Sequence, residues 1–181
     1  MKHWSQDLYL KAWNYACRAH NGQNMPGSEL PYVNHVGAVA MEILGSVSRG
    51  EIIEDPDLAL QCALLHDVIE DTSIGVEEIK WQFGEAVAQG VLALSKNPEL
   101  PDKEQQMQDS LKRIKSQPRE VWMVKLADRI TNLQAPPRYW PIKKVAQYHA
   151  QAALILETLG SASKPLSNRL HTRLKEYRRF F

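Results

Sequence analysis

Apolar residues recur at helical spacing along almost the whole chain, and no stretch alternates as a half-buried strand would. Behind Ser5, a candidate N-cap, Leu8, Ala12, Tyr15, Ala16 and Ala19 line one face of a helix over Gln6–His20. Asn21–Pro31 is a loop rich in Gly, Pro and Asn. Tyr32 opens a second helix, YVNHVGAVAMEILGSV, with His35, Val39 and Ile43 on one face and His35 in the first turn. A polar connection over Gly45–Glu54 leads to Asp55, which caps a third helix with Pro56 at its first position. This helix is apolar on almost every side: within Pro56–Cys62 only Asp57 and Gln61 are polar, and the helical pattern runs on through Ala63–Thr72, ALLHDVIEDT.

After a turn at Thr72–Gly75, the spacing predicts a short helix over Val76–Phe83 that stops at Gly84, and another over Ala86–Ser95. A loop at Asn97–Lys103 precedes an exposed polar helix over Glu104–Lys115. A helix from Pro118 to Leu133 is ended by Pro136 and Pro137. A long helix from Pro141 to Leu159 is closed by Gly160, and Ser163–Tyr177 forms a basic last helix. The expectation is an all-α fold in one domain over residues 1–181, with no internal repeat and no linker to a second domain.

Composition narrows the function classes. The 181 residues are 44% hydrophobic and 24% charged, an ordinary globular balance, and the net charge of +1 leaves no global footprint for nucleic acid or a membrane surface. A local pocket for a nucleotide-sized anion is still open. Cys17 and Cys62 sit inside apolar helical patterns, as core thiols of a reducing compartment do. The N-terminal MKHWSQDLYLKAW has no apolar leader core, and no run approaches the ~18 apolar residues a membrane span needs. The expectation is a soluble cytoplasmic protein.

The chemistry begins where polar groups interrupt apolar helices. Continued as a helix, His66, Asp67, Glu70 and Asp71 fall within an arc of roughly 140°. Three ionised carboxylates on the face of a buried helix are costly without a cation to pair them. A divalent metal would pair them, with the adjacent His66 and Asp67 as ligands. A solvated helix end would also carry such charges, but the flanks are too apolar for one. On the Pro118–Leu133 helix, Lys125, Asp128, Arg129 and Asn132 share about 100° of arc. Alone that stripe reads as an internal salt-bridge seam; beside the first cluster, Asp128 is a further metal ligand. His35 is another candidate, although a buried histidine is the commoner meaning of such a residue. His3, His20 and His171 have no carboxylates at useful spacing, and His149 is a weak candidate for a supporting contact.

A His, then an adjacent His-Asp pair, then a distant Asp is the signature of the HD phosphohydrolase superfamily. Within it the chain resembles the hydrolase domain of RelA/SpoT-type alarmone enzymes in their small single-domain form. The resemblance rests on HNGQ (His20–Gln23), PYVNH (Pro31–His35), ALLHDVIEDT (Ala63–Thr72), FGEAV (Phe83–Val87) and VKLADRITNL (Val124–Leu133), and runs from about Leu10 to Leu159. It implies a single HD-domain helical bundle and a manganese-dependent hydrolase that releases the 3′-pyrophosphate of (p)ppGpp. His35, His66, Asp67 and Asp128 would hold the metal. That N/O donor set by itself suits Mn²⁺, Fe²⁺, Zn²⁺ or Mg²⁺; the resemblance favours Mn²⁺. Glu70 and Asp71, one turn beyond the ligands, are placed for proton transfer, the role the family gives this pair. By the same matching Asn132 contacts the nucleoside, and Lys144 and Tyr148, an i,i+4 pair behind Trp140, hold the 5′ phosphates. A solvated face accounts for Lys143 and Lys144 as well. Ser95 and Lys96 stand where relatives carry a Thr-Lys or similar polar pair, which would let Lys96 reach phosphate. Lys125 and Arg129 are either further cations for the substrate or ion-pair partners of the carboxylates.

The first loop departs from the family pattern. Relatives place an Arg, often followed by Lys, shortly after the Gly-Gln pair, and that Arg stacks on guanine; here Met25 and Pro26 stand in those positions. A thioether packs on a base but brings no charge. Arg18, one turn earlier, is a possible substitute. Adenosine alarmones, a phosphate removed from a dinucleotide such as NADPH, and simple mononucleotides therefore stay open as substrates. So does a degenerate module that binds a nucleotide without turnover. Nucleic-acid binding through Arg169, Arg173, Lys175, Arg178 and Arg179 is opposed by the overall charge, since such a run is ordinarily a solvated face. The sequence leaves the oligomeric state undetermined.

Overall fold

Ser5, Asp55, Asp102 and Ser163 each turn a side-chain oxygen onto the amide three residues ahead, and so satisfy an N–H that the first helical turn leaves free. These caps open α1 (Gln6–Ala19), α3 (Pro56–Leu65), α7 (Lys103–Lys115) and α10 (Lys164–Tyr177). The other helices are α2 (Val33–Ser48), α4 (Val68–Asp71), α5 (Val76–Phe83), α6 (Glu85–Leu94), α8 (Arg119–Asn132) and α9 (Ile142–Leu159). The computed structural model describes residues 3–181; Met1 and Lys2, the head of the stretch read for a leader, lie outside the described residues. Among the described residues the only β pairing is a bridge between Asn24 and Pro31, so the all-α expectation holds. Gly84, at φ 87°, turns the chain between α5 and α6.

The buried apolar side chains form one cluster that draws on every helix longer than four residues. At its centre α3 packs against α1, α2, α6 and α8, and every α3 residue but Asp57 is buried. Two carboxylates fix its start. Asp57 Oδ1 accepts from the Ser5 amide at 2.6 Å, and the buried Glu120 of α8 accepts from the Glu54 and Asp55 amides at 3.1 Å each. The far end of α3 is thereby delivered to the far end of α8.

The structure corrects three element expectations. The third helix does not run on through Asp71: it ends at Leu65, His66 and Asp67 form a turn, and only then does α4 begin. His66 Nδ1–H donates to the Ala63 carbonyl at 2.9 Å, so a side chain occupies an oxygen that a continuing helix uses for its own amide. Gly45–Ser48 belong to α2 and not to the connection after it. α7 is amphipathic rather than exposed all round, with Met107, Leu111 and Ile114 in the core.

Candidate active site

Each cluster member comes from a different constraint. His35 is fixed in the first turn of α2, Asp128 near the end of α8, and His66 and Asp67 in the turn that ends α3. His35 Nε2 lies 3.3 Å from His66 Nε2, 3.5 Å from Asp67 Oδ2 and 3.4 Å from Asp128 Oδ1. His66 Nε2 lies 2.9 Å from Asp67 Oδ2 and 3.8 Å from Asp128 Oδ1. One ligand atom each from His35, His66 and Asp128 falls within 4.8 Å of the others.

The donor set fits a cation. His66 Nδ1 faces the Ala63 carbonyl, which can only accept, so that nitrogen carries the proton. The Thr131 hydroxyl donates to the Asp128 carbonyl at 2.8 Å and offers a lone pair to His35 Nδ1 at 3.4 Å. In their neutral form both rings therefore turn a bare Nε2 toward the two carboxylates, the orientation metal-binding histidines adopt. The carboxylates are held too: Tyr32 donates to Asp67 Oδ2 at 2.5 Å, Lys125 pairs with Asp128 Oδ2 at 3.1 Å, and Asn132 donates to Asp128 Oδ1. Electrostatics follow. Burial opposes charge on His35, but its bonds to Asp128 and Asp67 outweigh it and push the ring up to about 9. His66 is raised against burial by Asp67. Asp67 is held well below the carboxylate range by His66 and His35 despite its burial, and Asp128 is lowered likewise by Lys125 and His35.

The cluster opens into a cleft of about 740 Å³. Glu70, Asp71, Lys96, Asn132, Lys144 and Tyr148 line it together with Asp67 and Asp128. Both Glu70 oxygens are taken by Lys96, one by its amide at 2.9 Å and the other by its ammonium. Burial and the charges of Asp67 and Glu70 raise the Asp71 carboxyl. Met25 lines an adjoining cavity of about 710 Å³ that shares Asn132, Trp140 and Tyr148 with the cleft. Arg18 lines neither cavity; it is exposed on the last turn of α1. His149 bonds the Leu174 carbonyl and packs on Phe181, so it is a contact of α9 with α10 and not a support of the metal cluster. Lys125 is spent on Asp128, and Arg129 alone of that pair remains without a carboxylate.

Four supporting residues carry signals too slight to read beforehand. Tyr32 sits in the quoted PYVNH, and Thr131 lies one turn past Asp128. Gln23, in HNGQ, accepts at Oε1 from His20 Nδ1 at 2.8 Å and donates to the Asp71 carbonyl, tying the first loop to the end of α4. Arg138 reaches the Met25 cavity from the connection between α8 and α9, more than a hundred residues away in sequence.

An adjacent His-Asp pair answered across a helical core by a distant His and Asp is the arrangement that defines HD domains, a class whose fold implies a divalent metal. The family model described as HD domain matches residues 12–170, and the chain belongs to that family. It is 30% identical over 92% of its length, and 92% of the relative's, to the guanosine-3′,5′-bis(diphosphate) 3′-pyrophosphohydrolase MESH1 of Danio rerio. The Xenopus tropicalis enzyme of the same name is 32% identical over 90% of each chain. Among solved structures, a metazoan ortholog of SpoT described as hydrolysing ppGpp matches with a TM-score of 0.82 at 26% identity, covering 97% of this chain and 98% of that one.

Proposed function

We propose that the protein is a metal-dependent phosphohydrolase that releases pyrophosphate from the 3′ position of guanosine 3′,5′-bis(diphosphate), as one HD-type hydrolase domain over residues 1–181 acting in the cytoplasm. The observation that carries the reading is the two-imidazole, two-carboxylate cluster opening into a cleft lined by both carboxylates and cations. No nucleic-acid or membrane partner enters it, and no helix among the described residues is long and apolar enough to cross a membrane. Mn²⁺ is the metal in this reading, held by His35, His66, Asp67 and Asp128. Bound there, a divalent cation polarises a phosphoryl oxygen and lowers the pKa of adjacent water.

The remaining roles fall to the chain's own side chains. Glu70, its two oxygens held by the Lys96 amide and ammonium, accepts the proton of the attacking water. Asp71 takes the general-acid role, because burial and the charges of Asp67 and Glu70 favour its protonated form, and it gives that proton to the leaving ribose oxygen. Asn132 is shared by the two cavities and contacts the nucleoside at their junction. Lys144, its ammonium 4.0 Å over the Trp140 ring, and Tyr148 hold the 5′ phosphates, with Lys96 free to turn from Glu70 to an incoming phosphoryl group.

A second reading, an adenosine alarmone or NADPH, is favoured by Met25 standing in the cavity next to the cleft where a loop cation would select guanine. One assay separates them. Metal-loaded protein is incubated with ppGpp, pppApp and NADPH in parallel and the products identified. Pyrophosphate released from ppGpp supports the first reading; orthophosphate from NADPH alone replaces it with the second.

A further inference from the structure

Among the described residues nothing neutralises the buried cation of Arg129. The residue is 5% exposed, and its Nε and Nη1 are sealed from solvent without a hydrogen-bond partner. Among the described residues no carboxylate lies within ion-pair distance, whereas its neighbour Lys125 is paired with Asp128. It has a favourable aromatic contact: the guanidinium carbon sits 4.2 Å from the centroid of the Tyr148 ring. Its field also reaches the hydroxyls of Tyr148 and Tyr177, which burial raises and Arg129 lowers. Yet Arg129 lines the metal cleft, on the side where Tyr148 and Lys144 stand.

A desolvated, unpaired charge costs stability that a cation–π contact recovers only in part. Such a residue is retained where an anion arrives to complete it. Guanidinium suits this better than ammonium: it stays charged when buried and presents a planar fork to a phosphoryl group. We propose that Arg129 is the fixed cation of a phosphate subsite at this end of the cleft, clamped on Tyr148 and completed by the phosphoryl oxygens of a nucleoside 5′-diphosphate. Lys144, exposed on the Trp140 face, closes the same group from the solvent side. The metal cluster and this subsite then grip opposite ends of the substrate. The ligand's identity rests on the nucleotide reading above, and the subsite itself does not.

The test is binding, not turnover. GDP and guanosine are titrated into the metal-loaded wild type, Arg129→Met and Arg129→Lys, and the melting temperature of each free protein is recorded. Arg129→Met should weaken GDP at least tenfold, the scale of a lost charge-assisted hydrogen bond. Guanosine affinity should not change, and the free variant should melt no lower than wild type, because an uncompensated charge has gone. Arg129→Lys should recover part of the GDP affinity. GDP affinity kept within twofold, or guanosine weakened equally, would overturn the subsite. So would a free variant that melts well below wild type with GDP binding retained, for Arg129 would then be a structural brace of Tyr148. If wild type binds no GDP, the nucleotide reading fails. The same comparison is then made with inorganic pyrophosphate, where equal binding by wild type and Arg129→Met overturns the subsite too.

Discussion

His35 and the two carboxylates beside it make the site sensitive to pH in a definite direction. In metal-free protein the folded-state value of His35, about 9, lies above its unfolded value near 6.5. Its contribution to stability is therefore complete below about pH 6.5 and is lost as the pH rises through 9. A bound metal takes the place of that proton, so its hold strengthens over the same range. The gap in melting temperature between metal-loaded and chelator-treated protein should widen from pH 6.5 to pH 9; a constant gap would show that His35 does not exchange a proton for the metal. Asp128→Ala should empty the site, read as metal content per chain. It should also destabilise the fold by about 3–5 kcal/mol, since Lys125 is left buried without its partner. Glu70 should behave otherwise. Its oxygens are held by Lys96 and not by the imidazoles, so Glu70→Gln should keep the metal and bind substrate while kcat falls by roughly 10²–10⁴. Loss of metal in that variant would move Glu70 into the ligand set. At this scale the sequence was readable wherever chemistry needs a rare residue type. His66, Asp67 and Asp128 stand out because carboxylates and imidazoles interrupt apolar helices. Thr131 and Tyr32 do not, because a hydroxyl at a helix edge has many ordinary uses.

The helices were legible from apolar spacing and caps, and Ser5 and Asp55 cap as their positions predicted. The break at His66-Asp67 was not, because nothing in ALLHDVIED is a helix breaker. The turn is made by a side chain competing for the Ala63 carbonyl and by ion pairs from α2 and α8, forces that exist only once distant helices have packed. An arc through His66, Asp67, Glu70 and Asp71 on one helix therefore describes a helix that does not form, although Asp67, Glu70 and Asp71 still line the cleft and His66 stands behind them, 2.9 Å from Asp67 Oδ2. The polar surface of α7 hid its packing role for a related reason: Arg113 ties the carbonyls of Leu92, Ala93 and Ser95, so α7 clasps the end of α6 beside Lys96. The seat of α6 can be tested at Gly90. A Cβ there would stand 2.7 Å from Cys62 Sγ and 3.1 Å from Val121 Cγ2, both fully buried. Gly90→Ala gains helix propensity of up to about 1 kcal/mol, but overpacking costs about 1–3 kcal/mol. A net loss of stability in urea unfolding is expected. Cys62→Ala in the same chain should recover most of it, because the sulfur is the nearer obstacle. If the single variant is as stable as wild type, α6 is less tightly seated on α3 than the geometry implies.

On the scale of the whole molecule, the cleft is where two remote stretches meet. The Asn21–Pro31 loop is folded back on itself by the Met25–Leu30 and Tyr32–Gln23 backbone bonds. Gly27, at φ 72°, lets it pass the Pro137 ring, where a Cβ would already stand at 3.4 Å. This brings Met25 opposite Arg138 and Trp140 in one cavity, a juxtaposition no local pattern contains. In the proposed reading, base discrimination depends on that meeting. With Met25 at the loop position, a base has a polarisable surface to lie on but no loop guanidinium, and Arg18, the nearest arginine in sequence, faces solvent elsewhere. Discrimination between guanine and adenine among 3′-pyrophosphorylated nucleotides should therefore stay under about a hundredfold in kcat/KM, roughly 2.7 kcal/mol. Met25→Arg should change that ratio, since selectivity is a difference of transition-state affinities. Lys144→Ala, acting on phosphate, should raise KM for both bases alike and leave the ratio where it was. A wild-type preference of a hundredfold or more would mean that another group reads the base. Arg138, which lines the same cavity, is then the residue whose replacement by Met should abolish the preference.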